Sequence, residues 1–113
     1  MNAAIKQQWI DALRSGDYQQ ATGSLRTEEG FCCLGVLCDL HRKAINKKKA
    51  RWEKITHFGT FTYIGDADIL PQDVIDWAGL KNADPICGVG SLSGHNDNGK
   101  SFCEIAEIIS ESL

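Results

Sequence analysis

Residues 32–44 read Cys32-Cys33-Leu34-Gly35-Val36-Leu37-Cys38-Asp39-Leu40-His41-Arg42-Lys43-Ala44. The run is apolar on most faces of a helix, so it predicts a buried helix from about Cys33 to Ala44. Gly35 inside it costs about 1 kcal/mol of helix propensity relative to alanine, which implies that something packs close at that point. Upstream, Ser24–Arg26 and Gly30–Cys32 are short strand candidates about a Thr27–Gly30 turn. Further back, Ile5, Trp9 and Leu13 recur every four residues, with Ile10 and Ala12 widening the stripe. This predicts an amphipathic helix over 3–15 that Gly16 ends. Downstream, Arg51–Ile55 and Thr60–Ile64 are rich in aromatic and β-branched residues and predict a hairpin. Leu70-Pro71 opens a third helix, with Asp73 and Asp76 in its early turns, Val74, Ile75, Trp77 and Ala78 apolar, and Gly79 ending it. Residues 81–100 read as a loop with a short extended piece at Ile86–Val89. The last helix opens on a capping box, Ser101 with Glu104, and buries Phe102, Ile105, Ala106, Ile108, Ile109 and Leu113. The expectation is one α+β domain over 1–113, about four helices packed with a small antiparallel hairpin or sheet.

A chain of 113 residues, 42% hydrophobic and 24% charged, sits in the range of single globular domains and outside that of disordered chains. No apolar run approaches the roughly 18–20 residues of a spanning helix, and the first residues lack the continuous apolar stretch of a secretion signal. A soluble protein of the cytoplasm, without a membrane partner, is expected. The five cysteines are odd in number and form no CxxC, so they read as packing thiols, with no metal and no cofactor expected.

The formal charge of −3 conceals an uneven distribution. Residues 1–41 carry −2, residues 42–54 carry +6, and residues 55–113 carry −7. The basic strip is Arg42, Lys43, Lys47, Lys48, Lys49, Arg51 and Lys54, which could hold phosphates; an acidic face around Asp66, Asp68, Asp73 and Asp76 could enter the basic groove of a nucleic-acid-binding protein.

Four motifs occur in order: W-x3-L-R-S-G-x-Y-x-Q from Trp9 to Gln20, F-C-C-L-G-V-L-C-D-L from Phe31 to Leu40, L-P-x-x-V-x-x-W-A-G-L from Leu70 to Leu80, and N-D-x-G-x-S-F-x-E-I-A from Asn96 to Ala106. Together they resemble a family of small bacteriophage and prophage proteins across nearly the whole chain. The resemblance implies a phage origin and an accessory role; it implies no activity and no site residue. The segment from Ala44 to Gly65 lies outside the shared pattern.

Several constellations bear chemistry. Cys33 at a helix start could be a thiolate nucleophile, with His57 as base oriented by His95 or Asn96. Cys33-Leu34-Gly35-Val36-Leu37 and the stretch from His57 to Gly65 are similar to the Cys-x-Gly and His-x-Gly segments of papain-like cell-wall peptidases. Only 24 residues separate Cys33 from His57, however, and Cys32 stands where such enzymes often carry aspartate. Cys38 and His41, three apart on a helix, could share a metal, but two ligands make a weak site. Gly88 to Gly94 is glycine-rich without the lysine-serine ending of a phosphate loop. A polar set, Arg14, Tyr18 and Gln20 with His95, Asn96 and Asp97, could converge on a nucleotide or peptide if the first and last helices pack together; capping is its structural alternative.

The leading reading is a non-catalytic phage accessory protein that binds a host protein or sequesters a small signalling nucleotide in the host cytoplasm, blunting a function such as antiviral defence. A nucleotide sponge would need Lys or Arg converging on a concave site with Tyr or Trp to stack the base, and a homo-oligomer could build that site between subunits. The alternatives are a papain-like cysteine hydrolase using Cys33 and a nucleic-acid-binding protein using residues 42–54.

Overall fold

The apolar run folds as α2 (Cys33–Ile45), and every residue from Cys33 to Asp39 is buried. A Cβ on Gly35 would lie 1.8 Å from the Leu25 carbonyl oxygen, so the close approach implied by that glycine is made by the backbone just before the sheet. The Leu25 carbonyl also accepts the Cys32 N–H at 3.0 Å, which fixes the entry to the helix.

The computed structural model describes residues 1–55 and 59–113. Around α2 the chain builds α1 (Ala3–Arg14), the paired strands β1 (Arg26–Thr27) and β2 (Gly30–Phe31), the hairpin β3 (Trp52–Ile55) and β4 (Thr60–Tyr63), and α3 (Gln72–Ala78). It then adds a second hairpin, β5 (Ile86–Cys87) and β6 (Gly90–Ser91), followed by α4 (Leu92–Asp97) and α5 (Phe102–Ser112). The four-stranded sheet is antiparallel in the order β2-β1-β4-β3, with Arg26 opposite both Phe31 and Phe61. This is an α+β fold with five helices among the described residues, and none of them is long and apolar enough to cross a membrane.

The core is built where the apolar stripes meet. Trp9 and Leu13 of α1, Leu34, Val36 and Leu37 of α2, Val74 of α3, Leu92 of α4 and Ile105 and Ile109 of α5 are all buried in one cluster. The α5 capping box forms as read: the Glu104 N–H donates to Ser101 Oγ and the Ser101 N–H to Glu104 Oε1, both at 3.1 Å. Pro71 is the N-cap of α3 rather than its first helical residue, and Gly79 ends that helix at φ 70°.

The main correction concerns residues 81–100, which are not a loop. They hold the β5–β6 hairpin and α4, whose N-cap Ser91 accepts the Gly94 N–H at 3.1 Å. Asp84 adds a second cap from outside, accepting from the Ser93 N–H at 3.0 Å and from the Ser93 hydroxyl. The six-residue helix buries Leu92 together with two polar side chains, His95 and Asn96, so it has no apolar period to detect.

Candidate functional site

The polar set splits into a structural knot and two unrelated contacts. Asn96, 1% exposed, accepts from Gln20 Nε2 at 2.9 Å and from the Cys33 N–H at 3.2 Å, and it donates to the Ala21 carbonyl at 2.8 Å. Gln20 also donates to the Lys100 carbonyl at 2.8 Å, and Asp97 accepts the Gly23 N–H at 3.1 Å. His95 Nε2 lies 2.7 Å from the Cys87 carbonyl, an acceptor only, so that nitrogen carries the proton. These four side chains spend their hydrogen bonds tying α4 to the segment between α1 and β1, to α2 and to β5. Arg14 pairs with Glu107 at the surface, and Tyr18 donates to Asp39 at 2.7 Å.

Asp39 is the second buried polar centre. Burial alone would raise its carboxyl, but hydrogen bonds from Arg42, Tyr18 and Trp52 outweigh that and hold it below the ordinary carboxylate value. Tyr18 is pushed upward by burial and by its bond to Asp39.

The cysteine reading meets the opposite physics. Cys33 does open α2, but its thiol is fully buried and 3.4 Å from the Leu92 carbonyl, and burial pushes its pKa well up despite the helix N-terminus. The N-cap is Cys32, whose sulfur accepts the Gly35 N–H at 3.4 Å and whose pKa burial raises to about 11. Neither is a thiolate near neutral pH. His57, the suggested base, lies outside the described residues, and His95 is committed to Cys87. Cys38 is fully buried, and the Nδ1 of His41 is hydrogen-bonded to the Tyr63 hydroxyl at 2.6 Å, so the two do not offer a free ligand pair. Among the described residues no group of three or more His, Cys, Asp or Glu is arranged to hold a metal ion.

The basic strip divides in two. Arg42 and Lys43 pair with Asp39 at 2.8 and 3.6 Å, Arg51 pairs with Glu53 at 3.6 Å, and Lys54 with Glu28. Lys47, Lys48 and Lys49 have no ion pair among the described residues. They follow the left-handed C-cap Asn46, in a turn closed by the Ala50 N–H on the Lys47 carbonyl at 3.0 Å. That turn forms one wall of a groove of about 640 Å³. The end of α2 contributes His41 and Ile45, the turn after β4 contributes Ile64, and α3 contributes Asp73, Asp76 and Trp77. A smaller hollow of about 320 Å³ lies on the same turn and shares Lys47, Lys48 and Ala50 with the groove. Its other lining residues are Arg42, Asn46 and Arg51, with no acidic group.

The groove is a built structure. Trp77 is half-buried, and its ring meets that of His41 edge-on at 5.1 Å. His41 in turn packs edge-on against Tyr63 at 5.7 Å, and burial lowers the His41 pKa against the opposing pull of Asp73, leaving a neutral imidazole near pH 7. Ile64 sits at φ 50°, a left-handed conformation that costs a β-branched residue on the order of 1–3 kcal/mol. It is the first central residue of a tight turn in which the Tyr63 N–H donates to the Asp66 carbonyl at 2.8 Å and the Asp66 N–H returns to Tyr63 at 3.1 Å. Strain of this kind concentrates at functional sites.

Two of the four aspartates read as an acidic face, Asp73 and Asp76, thus share a groove with the three unpaired lysines, while Asp66 is held in the turn and Asp68 is exposed outside the groove. The sequence offered Lys47 to Lys49 as a basic patch and Trp77 as an apolar residue of the third helix, without a sign that the two meet or that His41 and Ile64 complete the cavity.

A family model described as a domain of unknown function (DUF8296) matches residues 1–113. No curated protein and no solved structure matches the chain.

Proposed function

We propose that this chain, which belongs to the DUF8296 family, is a non-catalytic binding protein whose groove takes a small phosphorylated nucleotide. The observation that carries the reading is the meeting of Lys47, Lys48 and Lys49 with Trp77 around one concave site: cations for phosphates, and an indole for a base. A volume of about 640 Å³ is within the usual range for a small-ligand site. Against the Cys33 hydrolase stands the burial of that thiol, which keeps it protonated near neutral pH. The phage setting, the place in the host cytoplasm and the role in blunting a host defence rest on the four resembling motifs. In that setting a nucleotide-binding groove would act by lowering the free concentration of a signal.

Titration of nucleoside triphosphates into the protein, followed by calorimetry and by quenching of tryptophan fluorescence, tests the reading. Saturable binding that weakens at least tenfold in K47A/K48A/K49A is expected. No binding at millimolar nucleotide, or equal binding by the triple variant, overturns it. If charge reversal of Asp66, Asp68, Asp73 and Asp76 instead abolishes capture of a host nucleic-acid-binding protein while nucleotides fail to bind, the acidic-face inhibitor replaces it.

A further inference from the structure

We propose that the groove selects a guanine base, with the Asp73 carboxylate accepting from the base N1–H and 2-amino group while the ring stacks on Trp77 and the phosphates pass over Lys47 and Lys48 into the neighbouring basic hollow. The inference deepens the nucleotide reading and rests on it.

The argument starts from α3. Asp73 and Trp77 are four residues apart on a helix, so their side chains stand on one face, one above the other, and both line the groove. Asp73 is exposed and has no hydrogen bond or ion pair among the described residues, whereas Asp76 already accepts from Gln72 Nε2 at 2.8 Å. A free carboxylate beside a stacking platform reads the edge of whatever lies on that platform.

An ionised carboxylate can only accept hydrogen bonds, and with two oxygens it accepts best from two adjacent donors. On their pairing edges adenine and cytosine place a ring-nitrogen acceptor beside the amino donor, and uracil flanks its N3–H with two carbonyls. Each would set an acceptor against the carboxylate. Guanine alone among the common bases presents adjacent donors, N1–H and the 2-amino group. The same negative charge fixes the ligand's direction, because phosphates are repelled from the Asp73 side and drawn to the lysine turn. Beyond that turn the second hollow, where Lys47 and Lys48 stand beside Arg42 and Arg51, themselves already paired with Asp39 and Glu53, continues the path for a polyphosphate. The platform is preorganised: His41 fixes the Trp77 ring at an interplanar angle of 77° and is itself held by Tyr63.

The test compares GTP, ITP and ATP by calorimetry on the full chain. The three carry the same phosphates, and ITP differs from GTP only in lacking the 2-amino group. GTP is expected to bind about tenfold or more tightly than either, as a bidentate base contact implies. In Asp73→Asn the preference should shrink to within about threefold while ATP binding is undiminished, because a repulsive charge has been removed. Asp73 is exposed, so the variant should fold, which circular dichroism checks. Equal binding of all three by the wild type overturns guanine selection; if K47A/K48A/K49A still weakens them, the nucleotide reading stands without it. A GTP preference that survives in Asp73→Asn also overturns the assignment to Asp73. Failure of every nucleotide to bind removes both readings together.

Discussion

Replacing Asn96 by alanine separates a structural knot from a ligand site. Asn96 is buried and its amide serves three segments: its oxygen takes the Cys33 N–H at 3.2 Å and Gln20 Nε2 at 2.9 Å, and its nitrogen gives to the Ala21 carbonyl at 2.8 Å. Gln20 keeps the Lys100 carbonyl when Asn96 is lost, so the main cost falls on the other two partners. The Cys33 N–H is one of the first donors of α2 and has no partner within the helix, and the Ala21 carbonyl is turned inward at a residue that is itself buried. Leaving two buried backbone groups unsatisfied costs about 1–3 kcal/mol each, and the space left by the amide adds on the order of 1 kcal/mol. A loss of about 3–7 kcal/mol follows, a large share of the roughly 5–15 kcal/mol that holds a domain of this size. Urea denaturation monitored by circular dichroism should show the midpoint falling by at least about 1 M at an unchanged slope. The folded fraction of the variant should bind nucleotide as the wild type does, since Asn96 does not line the lysine–tryptophan groove. A loss below about 1 kcal/mol would refute the reasoning, because it would mean that the three bonds are dispensable or replaced by water. Loss of nucleotide affinity at intact stability would return Asn96 to the ligand-binding role that the sequence alone suggests.

Three further outcomes are expected. Gly35→Ala should destabilise by at least about 2 kcal/mol in the same denaturation assay, since the roughly 1 kcal/mol gained in helix propensity cannot offset a Cβ set 1.8 Å from the Leu25 carbonyl oxygen; equal or greater stability would mean that the two backbones are not so close. Ile64→Asn creates an Asn-Gly pair at the two positive-φ positions of its turn, so stability should hold or rise by about 1 kcal/mol while nucleotide affinity falls with the lost groove wall; a destabilised variant with unchanged affinity contradicts both parts. His41, whose folded pKa is depressed, should titrate below the ordinary 6.5 by NMR, so its contribution to stability is complete above that value and is lost as pH falls toward the folded pKa; titration at or above 6.5 would contradict the burial argument.

The elements that were legible in the sequence are those whose apolar residues repeat. Ile5, Trp9 and Leu13 gave α1, the Ser101–Glu104 pair gave the start of α5, and Gly35 foretold a backbone contact, though not that Leu25 would make it. What escaped is what polar residues do once buried. His95 and Asn96 look like loop residues because periodicity counts only apolar side chains; here a carbonyl and an amide from distant segments satisfy them, and a six-residue helix results. Arg26 is a similar case. Its guanidinium lies 4.4 Å from the Phe61 ring centre and 4.8 Å from that of Phe31, a stacking that depends on strand register across three strands and leaves no local trace. The groove was illegible for the same reason: Lys47 to Lys49 and Trp77 are far apart in sequence, and only the packing of α3 against α2 brings their segments together.

That packing also bears on what the uneven charge of the sequence can do. Of seven basic residues between 42 and 54, four are engaged by Asp39, Glu53 and Glu28, and the remaining three share a groove with Asp73 and Asp76. A duplex nucleic acid needs an extended surface of unpaired cations along its phosphates, and much of this strip is already spent. Beyond the Debye length of roughly 8–10 Å, three lysines beside two aspartates nearly cancel; within it they present separate positive and negative contacts a few ångströms apart. Such a field steers weakly and discriminates strongly, which suits a ligand small enough to touch both signs at once. The salt dependence of nucleotide binding should therefore be shallow, reflecting at most the three free lysines, while a steep dependence together with tight duplex binding would require those four ion pairs to be open in solution.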